Sequence, residues 1–393
     1  MHEAVQRIHE ASHLLREEGP KSDERGQLTE KTVQVMRESG GVRLLQSKDR
    51  GGYESHPNDF FEWVRAVASY SPSAGWVAGV VGVHPWEIAL FDPKLQDEIY
   101  GADPDIWVAS PYAPFGRAKP VEGGFLFSGD WPYSTGTDYC DWIILGGMVT
   151  DAEGNLPAGP PDMRHFILPR SDYEIVEGSW NVMGMIGTGS KNVRMTDAFI
   201  PAYRAYEAPK MVEGFYAREQ RPDSPLYQMM FGIMFSAAIA SGTLGTAQGA
   251  VREFREYMNG RVSVMGNVAK SDPFQLAALA RAEADVDASV VHFEHVIAKL
   301  FDQVAAGEPI TVTQRITARR DMVRGVDRVV TAIDELYRMG GASAIHTDTG
   351  RPLERFWRDL HAGGSHVCNV REPIYVGWGV NEFGGDIALG TLY

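Results

Sequence analysis

The sequence has few of the features that define several large classes of protein. Only two cysteines, Cys140 and Cys368, occur in 393 residues, and they form no CxxC pair. A disulfide framework is therefore not expected, and a reducing, cytoplasmic setting fits best. No apolar run reaches about 18 residues, so we expect no membrane-spanning helix. The charged N-terminal segment lacks the apolar core of a signal peptide. The net charge of −15 argues against nucleic acid as a partner.

Common catalytic and cofactor motifs are also missing. No GxGxxG follows a first strand, and Gly187-Thr-Gly-Ser-Lys191 lacks the Gly-Lys-Ser/Thr ending of a phosphate-binding loop. No GxSxG elbow and no HExxH motif occurs. A single Glu-x-x-His, at Glu10 and His13, falls short of the two that a di-iron bundle needs, so no metal is predicted.

What the sequence does contain falls into three regions. Residues 1–103 show helical spacing of apolar residues, with a polar break at 22–26 and a small-residue helix over 73–84. Residues 104–205 hold short apolar runs separated by glycine and proline turns, which predict an antiparallel sheet or barrel. Residues 206–393 return to the helical period, and three segments (227–259, 273–306 and 311–339) are long enough for bundle helices.

The most informative stretch is Phe356-Trp-Arg-Asp-Leu-His-Ala-Gly-Gly-Ser-His366. His361 and His366 would point about 140° apart on an unbroken helix. Because Gly363 and Gly364 favour a helix end, we expect the two histidines to converge on one cavity. Taken alone, the pair is equally compatible with hydrogen-bonded structural histidines. The hydroxyls of Ser110, Ser134 and Thr135, each close to aromatic residues, are by themselves compatible with ordinary turns.

Taken together, these pieces resemble the acyl-CoA dehydrogenase fold, and more closely its two-component, flavin-dependent aromatic monooxygenases. The resemblance covers nearly the whole chain and rests on the order and spacing of several motifs. They are Gly75-Trp76, Gly82-Val-His84-x-Trp86, Ser110-x-Tyr-Ala-Pro114, Trp131 to Gly136 with Asp138 and Trp142, Gly187-Thr-Gly-Ser190, and the stretch 356–366. The fold implied is α+β: an N-terminal helical domain (1–103), a central β-barrel (104–205) and a C-terminal four-helix bundle (206–393), which in this family usually assembles as a homotetramer.

The resemblance implies an oxygenase component. Reduced FMN or FAD (FMNH2 or FADH2) would be supplied by a separate NAD(P)H:flavin reductase. Oxygen would add at the flavin C4a position to give a hydroperoxide, whose distal OH is transferred to a phenolic or polycyclic aromatic substrate. The flavin carries the difficult chemistry, and the protein supplies placement and a dry site.

The same resemblance implies roles for individual residues. Thr135 matches the hydroxyl beside the flavin N5, and His366 matches the histidine that assists proton transfer or orients the phenol. The positions implied to contact substrate are His84, Ser110, Trp76, Trp86 and His361. Those implied to contact the cofactor are Tyr112, Pro114, Trp131, Ser134, Thr135, Arg261, Gly340 and Gly341, with Arg261 reaching the flavin phosphate of a neighbouring subunit.

Two departures from the family pattern keep alternatives open. Some relatives carry an aspartate four residues after the catalytic histidine, where this chain has Val370, and an arginine where it has Ile186. The first departure weakens the case for His366 as a strong base. An acyl-CoA dehydrogenase would need a carboxylate base, and Glu372 does not match the required spacing. N- or S-oxygenation, or a non-catalytic flavin-binding role, are further alternatives.

Overall fold

The computed structural model describes residues 1–262, 266, 268–346, 352–388, 391 and 393. Its N-terminal part is helical: α1 Glu3–Glu10, α2 Ser12–Arg25, α3 Glu30–Ser39, α4 Pro57–Tyr70, α5 Pro72–Ile88 and α6 Pro93–Tyr100. The predicted polar break at 22–26 is wrong, because α2 continues to Arg25 and ends at Gly26, which adopts the left-handed conformation (φ 67°). Ser22 is buried and its hydroxyl donates to the Glu18 carbonyl, so polarity there marks a hydrogen-bonded contact rather than a loop.

Helix α5 is the central element of this part of the molecule. All 17 of its residues are buried. It packs against α4 and against α9 (Phe231–Gly260), which also pack against each other. A side chain at Gly75 would collide with Ala68 of α4, and one at Gly79 would press on the Ala238 carbonyl of α9. The small residues that suggested a buried helix therefore allow close packing against both helices.

The middle of the chain forms one eight-stranded sheet. Its strands are β1 Val108–Ala109, β2 Gly116–Val121, β3 Gly124–Trp131, β4 Trp142–Val149, β5 Met163–Pro169, β6 Glu174–Val176, β7 Asn192–Pro201 and β8 Ala205–Glu207. The order is β6-β7-β3-β2-β4-β5-β8, with β1 also paired to β4. Most pairs are antiparallel, as predicted, but β4 pairs in parallel with β1 and with β2. The β1–β4 pair places the residues just after Ala109 beside α5.

The C-terminal part is a bundle of long helices. Its elements are α7 Ala208–Val212, α8 Phe215–Gln220, α9 Phe231–Gly260, α10 Pro273–Ala305, α11 Val312–Gly340, α12 Leu353–Gly364 and α13 Arg371–Glu382. The Asp272 side chain caps α10, and Thr311 and Gln314 form a capping box on α11. α12 ends at Gly364, which confirms the predicted helix end between His361 and His366. None of the helices in the described part of the chain is long and apolar enough to cross a membrane.

Candidate active site

His84 and Ser110 form a buried hydrogen-bonded pair between α5 and the segment after β1. The Nδ1 atom of His84 contacts the Val108 carbonyl, and its Nε2 lies 2.8 Å from Ser110 Oγ. Burial lowers the pKa of His84 to about 4, so its ring is neutral near pH 7. Because a carbonyl can only accept, the proton lies on Nδ1, and the Ser110 hydroxyl donates to Nε2. The structure thus brings together two of the predicted substrate residues.

A second buried group extends this pair. The Tyr112 hydroxyl donates to Glu87 Oε2, and His165 Nδ1 lies 2.7 Å from Glu87 Oε1. Burial, together with the neighbouring Glu87 charge, raises the pKa of Tyr112 well above its ordinary value. Sequence reasoning missed Glu87 and His165. Glu87 could have been found because it lies three residues after His84, on the same face of α5.

Phe231 and Phe235 of α9, together with Trp76 of α5, form an aromatic wall that connects this group to His366. The Phe235 ring centroid is 5.1 Å from that of Tyr112 and 6.5 Å from that of His366, and Trp76 lies 5.4 Å from His366. Phe231 stacks on Phe235 at 5.8 Å. His84 and His366 therefore belong to the same aromatic-lined region, although 282 residues separate them in sequence. The pair Phe231 and Phe235, one helical turn apart, was the signal that sequence reasoning overlooked.

His366 follows the end of α12 with its ring in a fixed orientation. Its Nδ1 accepts the backbone N–H of Cys368 at 3.2 Å. Burial, assisted by the positive charge of Arg319 on α11, lowers the pKa of His366 to about 4. Arg319 is itself held at this position by donating to the Cys368 carbonyl at 2.6 Å. The neutral ring then carries its proton on Nε2 and presents a hydrogen-bond donor.

Thr135 lies at the end of a chain of hydroxyl groups. Its Oγ1 is 2.8 Å from Ser190 Oγ, which is 2.8 Å from Thr188 Oγ1, and Thr188 donates to the Met185 carbonyl at 2.8 Å. Since the carbonyl only accepts, each hydroxyl must donate toward Met185, and Thr135 donates to Ser190. Met185 packs in one apolar cluster with Trp76. Gly136, next to Thr135, lies against Val77 and Val81 of α5. The hydroxyl chain and His366 thus flank the same helix.

The remaining predicted cofactor residues of this region are held by the sheet. Ser134 is buried and accepts a hydrogen bond from the Thr137 hydroxyl. Trp131 is buried in the core and donates from Nε1 to the Gly146 carbonyl at 2.8 Å. Pro114, on the loop before β2, is partly exposed. Trp86, predicted to line the substrate pocket, is buried and donates to the Leu226 carbonyl at 2.8 Å.

The structure does not bring His361 together with His366. His361 Nε2 lies 2.8 Å from Asp334 of α11, and its ring packs against Trp357. The expectation that both histidines converge on one cavity is therefore wrong. The reason is that α12 continues past His361, so its side chain faces α11 before the chain turns at Gly364.

Arg261, Gly340 and Gly341 come together at the far end of the bundle. The Arg261 guanidinium donates to the Gly340 carbonyl and lies against Gly341. Tyr257 donates to the same carbonyl at 2.6 Å. Arg261 follows the C-terminal end of α9, whereas Phe235 lies near its start, so about 39 Å of helix separates them. Within one chain this cluster cannot contact the aromatic wall. In the described residues, no three His, Cys, Asp or Glu side chains are grouped to hold a metal ion.

Comparison with known proteins gives consistent matches along the chain. The family described as "Acyl-CoA dehydrogenase, C-terminal domain" matches residues 237–371. The chain is 40% identical over 385 residues to the pigment production hydroxylase of Rhodococcus erythropolis, covering 98% of this chain and 97% of that protein. It is 36% identical over 382 residues to the flavin-dependent monooxygenase oxygenase subunit HsaA of Rhodococcus jostii, covering 97% and 98%.

Solved structures agree with these matches. The structure of XiaF from a Streptomyces species, in complex with FADH2 and glycerol, superposes with a TM-score of 0.91 at 26% sequence identity. The alignment covers 99% of this chain and 97% of that protein.

Proposed function

The chain belongs to the flavin-dependent monooxygenase oxygenase subunits of the acyl-CoA dehydrogenase fold, and from this we propose its reaction. It is the oxygenase component of a two-component system that uses reduced flavin and O2 to hydroxylate an aromatic, phenolic or polycyclic substrate. The observation that carries the proposal is the aromatic wall of Trp76 and Phe235, with neutral His366 against it. The hydroxyl chain that begins at Thr135 flanks α5, the helix that carries Trp76. The fold class predicted from the sequence is confirmed.

The residues present fit a reduced flavin. Because the Thr135 hydroxyl proton is used on Ser190, its oxygen can only accept a further hydrogen bond. Reduced flavin carries a proton on N5 and can donate there, whereas oxidised flavin cannot. The Trp180 indole, fixed by donating to the Met185 carbonyl at 3.0 Å, adds an aromatic surface beside this chain. Thr135 would hold the N5 edge of the flavin, with Trp131, Ser134, Tyr112 and Pro114 as further contacts predicted by the resemblance.

The flavin and the protein chain have separate roles in the reaction. Reduced flavin, when bound, supplies the two electrons that activate O2, while the chain binds and orients the substrate and excludes water. Trp76 and Phe235 bind the substrate ring by apolar contact. His366 donates from Nε2, which fixes the orientation of the substrate instead of removing its proton. Ser110 and Tyr112 bind the polar end of the substrate, and His84 orients the Ser110 hydroxyl.

The reaction sets the partners and the location that we propose. A separate flavin reductase supplies FMNH2 or FADH2, and it draws electrons from NAD(P)H, which places the system in the cytoplasm. The relative whose structure contains FADH2 supports FAD as one of the cofactors to be tested. We further propose a homotetramer in which Arg261, Gly340 and Gly341 contact the flavin phosphate of a neighbouring subunit. Their distance from the aromatic wall within one chain supports this arrangement.

The carboxylates do not favour acyl-CoA dehydrogenation. Glu372 lies exposed in the first turn of α13. Glu87 lies near the aromatic wall but is 1% exposed, and its two oxygens already accept from Tyr112 and His165. Neither carboxylate is placed to remove a proton from a bound thioester.

The proposal is tested by mixing the protein anaerobically with reduced FMN or FAD and then adding O2 with a panel of phenols. We expect a transient flavin species distinct from free oxidised flavin, and a product heavier than the phenol by one oxygen atom. Replacing His366 with alanine should lower the rate of product formation by about 10²-fold while reduced flavin still binds. Immediate reoxidation to free flavin and H2O2, as in buffer alone, would contradict the proposal.

A further inference from the structure

The polar end of the site consists of His84, Ser110, Tyr112 and Glu87. It presents hydrogen-bond acceptors to a ligand and no free hydroxyl proton. His84 donates from Nδ1 to the Val108 carbonyl, so its Nε2 can only accept, and the Ser110 hydroxyl proton is used there. The Ser110 oxygen retains lone pairs for a ligand but has no proton to offer it. This polarity is fixed by the backbone, because the Val108 carbonyl cannot reverse its role.

The Tyr112 hydroxyl is fixed in the same sense by Glu87. The two oxygens of this carboxylate, which is 1% exposed, receive one donor each, from Tyr112 and from His165 Nδ1. The Tyr112 hydroxyl is the donor in its bond to Glu87, so its proton is not available to a ligand. Among the described residues, the titratable groups that face Glu87 are His84 on its own helix, Tyr112 on the following segment and His165 on β5.

Ser110 and Tyr112 lie on one short segment beside His84, and the Tyr112 ring reaches the aromatic wall. Ser110 Oγ is 2.8 Å from His84 Nε2, and the Tyr112 ring centroid is 6.0 Å from that of His84. Ser110 is buried, whereas Tyr112 is partly exposed, and its ring contacts Phe235 at 5.1 Å and Phe231 at 5.4 Å. At the opposite end of the aromatic wall lies His366, whose Nε2–H can donate a hydrogen bond.

We infer that Ser110 and Tyr112 form an acceptor pair, oriented by His84 and Glu87, that selects aromatic ligands carrying a neutral O–H or N–H group over their deprotonated forms. This inference rests on the proposed function, since it takes the aromatic wall as the substrate site. A phenolate would place its charge against two oxygens that have no proton to donate, next to the charge of Glu87. Glu87 is a positioning residue here: it fixes the direction of the Tyr112 hydroxyl without touching the ligand.

The test uses 4-nitrophenol, whose absorption spectrum distinguishes the neutral from the ionised form. Difference spectra are recorded near the pKa of the free ligand, anaerobically, with and without reduced flavin. We expect the wild-type protein to bind the neutral form about tenfold more tightly than the ionised one, since a lost or unmatched hydrogen bond costs roughly 1 kcal/mol or more.

Glu87→Gln reverses the hydrogen bond. The carboxamide oxygen still accepts from His165, but its N–H must donate to Tyr112, whose proton then turns toward the ligand. The preference for the neutral form should fall by about tenfold or reverse. Tyr112→Phe, which keeps the ring, should weaken binding of the neutral form without improving that of the ionised form. Glu98→Gln is the matched control, because Glu98 accepts from Tyr203 at 2.6 Å on the exposed surface.

Wild-type binding of the ionised form, or of neither form, would overturn the inference, and so would a preference that is the same in the wild type, Glu87→Gln and Tyr112→Phe proteins. Should Glu87→Gln fail to fold by circular dichroism, the Tyr112→Phe result decides. The titration requires no turnover. A protein that shows this preference but hydroxylates no phenol would contradict only the proposed function, whereas hydroxylation with no preference would contradict only this inference.

Discussion

Single residues in this site are defined by the direction of their hydrogen bonds. A histidine with an ordinary pKa near 6.5 could serve as a base at neutral pH. His366 cannot do so readily, because burial and Arg319 lower its pKa to about 4, and the Cys368 N–H occupies Nδ1. The sequence also indicates that His366 is a weak base, since Val370 stands where some relatives carry an aspartate.

The prediction at His366 separates donation from base catalysis. His366→Ala should lower the rate of hydroxylation by about 10²-fold, as for loss of one hydrogen-bond donor at a reacting group. His366→Gln, which offers an N–H at a similar place and does not titrate, should recover part of the rate. Single-turnover product yields measure both. Equal loss in the two variants would indicate that the imidazole itself moves a proton.

At the scale of elements, the loop 183–190 is fixed by two carboxylates, one buried and one partly buried. Asp359 on α12 accepts the Met185 N–H at 2.6 Å, and Asp23 on α2 accepts the Gly187 N–H at 3.1 Å. The loop carries Thr188 and Ser190, which orient Thr135. Two helices distant in sequence thus determine the position of the proposed flavin contact.

The hydroxyl chain predicts a preference for one redox state of the flavin. In the Ser190→Ala protein the Thr135 hydroxyl loses the oxygen to which it donates. Thr135 can then donate a hydrogen bond to the flavin as well as accept one. The ratio of affinities for reduced over oxidised flavin should then fall by up to about tenfold. Fluorescence titration of both redox states measures the ratio. Ser128→Ala, at an exposed hydroxyl on β3 that bonds to Asp197, is the control and should leave the ratio unchanged.

The carboxylate on α12 predicts a pH dependence of stability. Burial, followed by the neighbouring Asp23 charge, raises the pKa of Asp359 to about 7. The native state therefore holds a proton that the unfolded state releases at lower pH. The resulting stability is present below the ordinary pKa of aspartate, and it is lost as pH rises toward 7. Asp359→Asn should flatten the fall in Tm between about pH 5 and about pH 7. An unchanged slope in Asp359→Asn would contradict this assignment.

Elements with a regular helical spacing of apolar residues could be predicted from the sequence, whereas the contacts between these elements could not. The long helices α9, α10 and α11 and the buried helix α5 were expected within a few residues of their bounds. The end of α2 was missed because Ser22 is polar but buried, which a composition pattern cannot distinguish from a loop. Thr135, His84 and Ser110 were predicted as site residues through motif resemblance, and these roles remain predictions. Glu87, His165 and Phe235 were missed because their importance depends on packing between α5, β5 and α9.

At the scale of the whole molecule, one polypeptide contains two clusters that it cannot use together. The aromatic wall lies near the start of α9, and the Arg261 cluster lies beyond its end, about 39 Å away. The proposed combination of the two clusters in one flavin site would require a second copy of the chain. Large exposed apolar residues such as Phe274 and Phe383, at 77% and 95% exposure, are consistent with further surface being covered on assembly.

Arg261 provides the prediction at this scale. Arg261→Ala should raise the Kd for reduced flavin about tenfold or more, since the variant removes the proposed charge-assisted contact to the phosphate. Sedimentation should show an unchanged oligomer, and hydroxylation should recover at saturating flavin. Arg255→Ala, which removes an exposed arginine paired with Glu283, is the control. An unaltered Kd in Arg261→Ala would confine Arg261 to holding the Gly340 carbonyl.

The complete burial of α5 constrains how this enzyme can diversify. His84, Glu87 and Trp76 lie on a helix that packs tightly against α4 and α9, so most replacements along it would cost stability before they altered selectivity. Phe235 and Tyr112 are only partly buried and adjoin the same region. New substrate ranges, whether in natural lineages or in directed evolution, should therefore arise first at these two rings, with α5 as the conserved framework behind them.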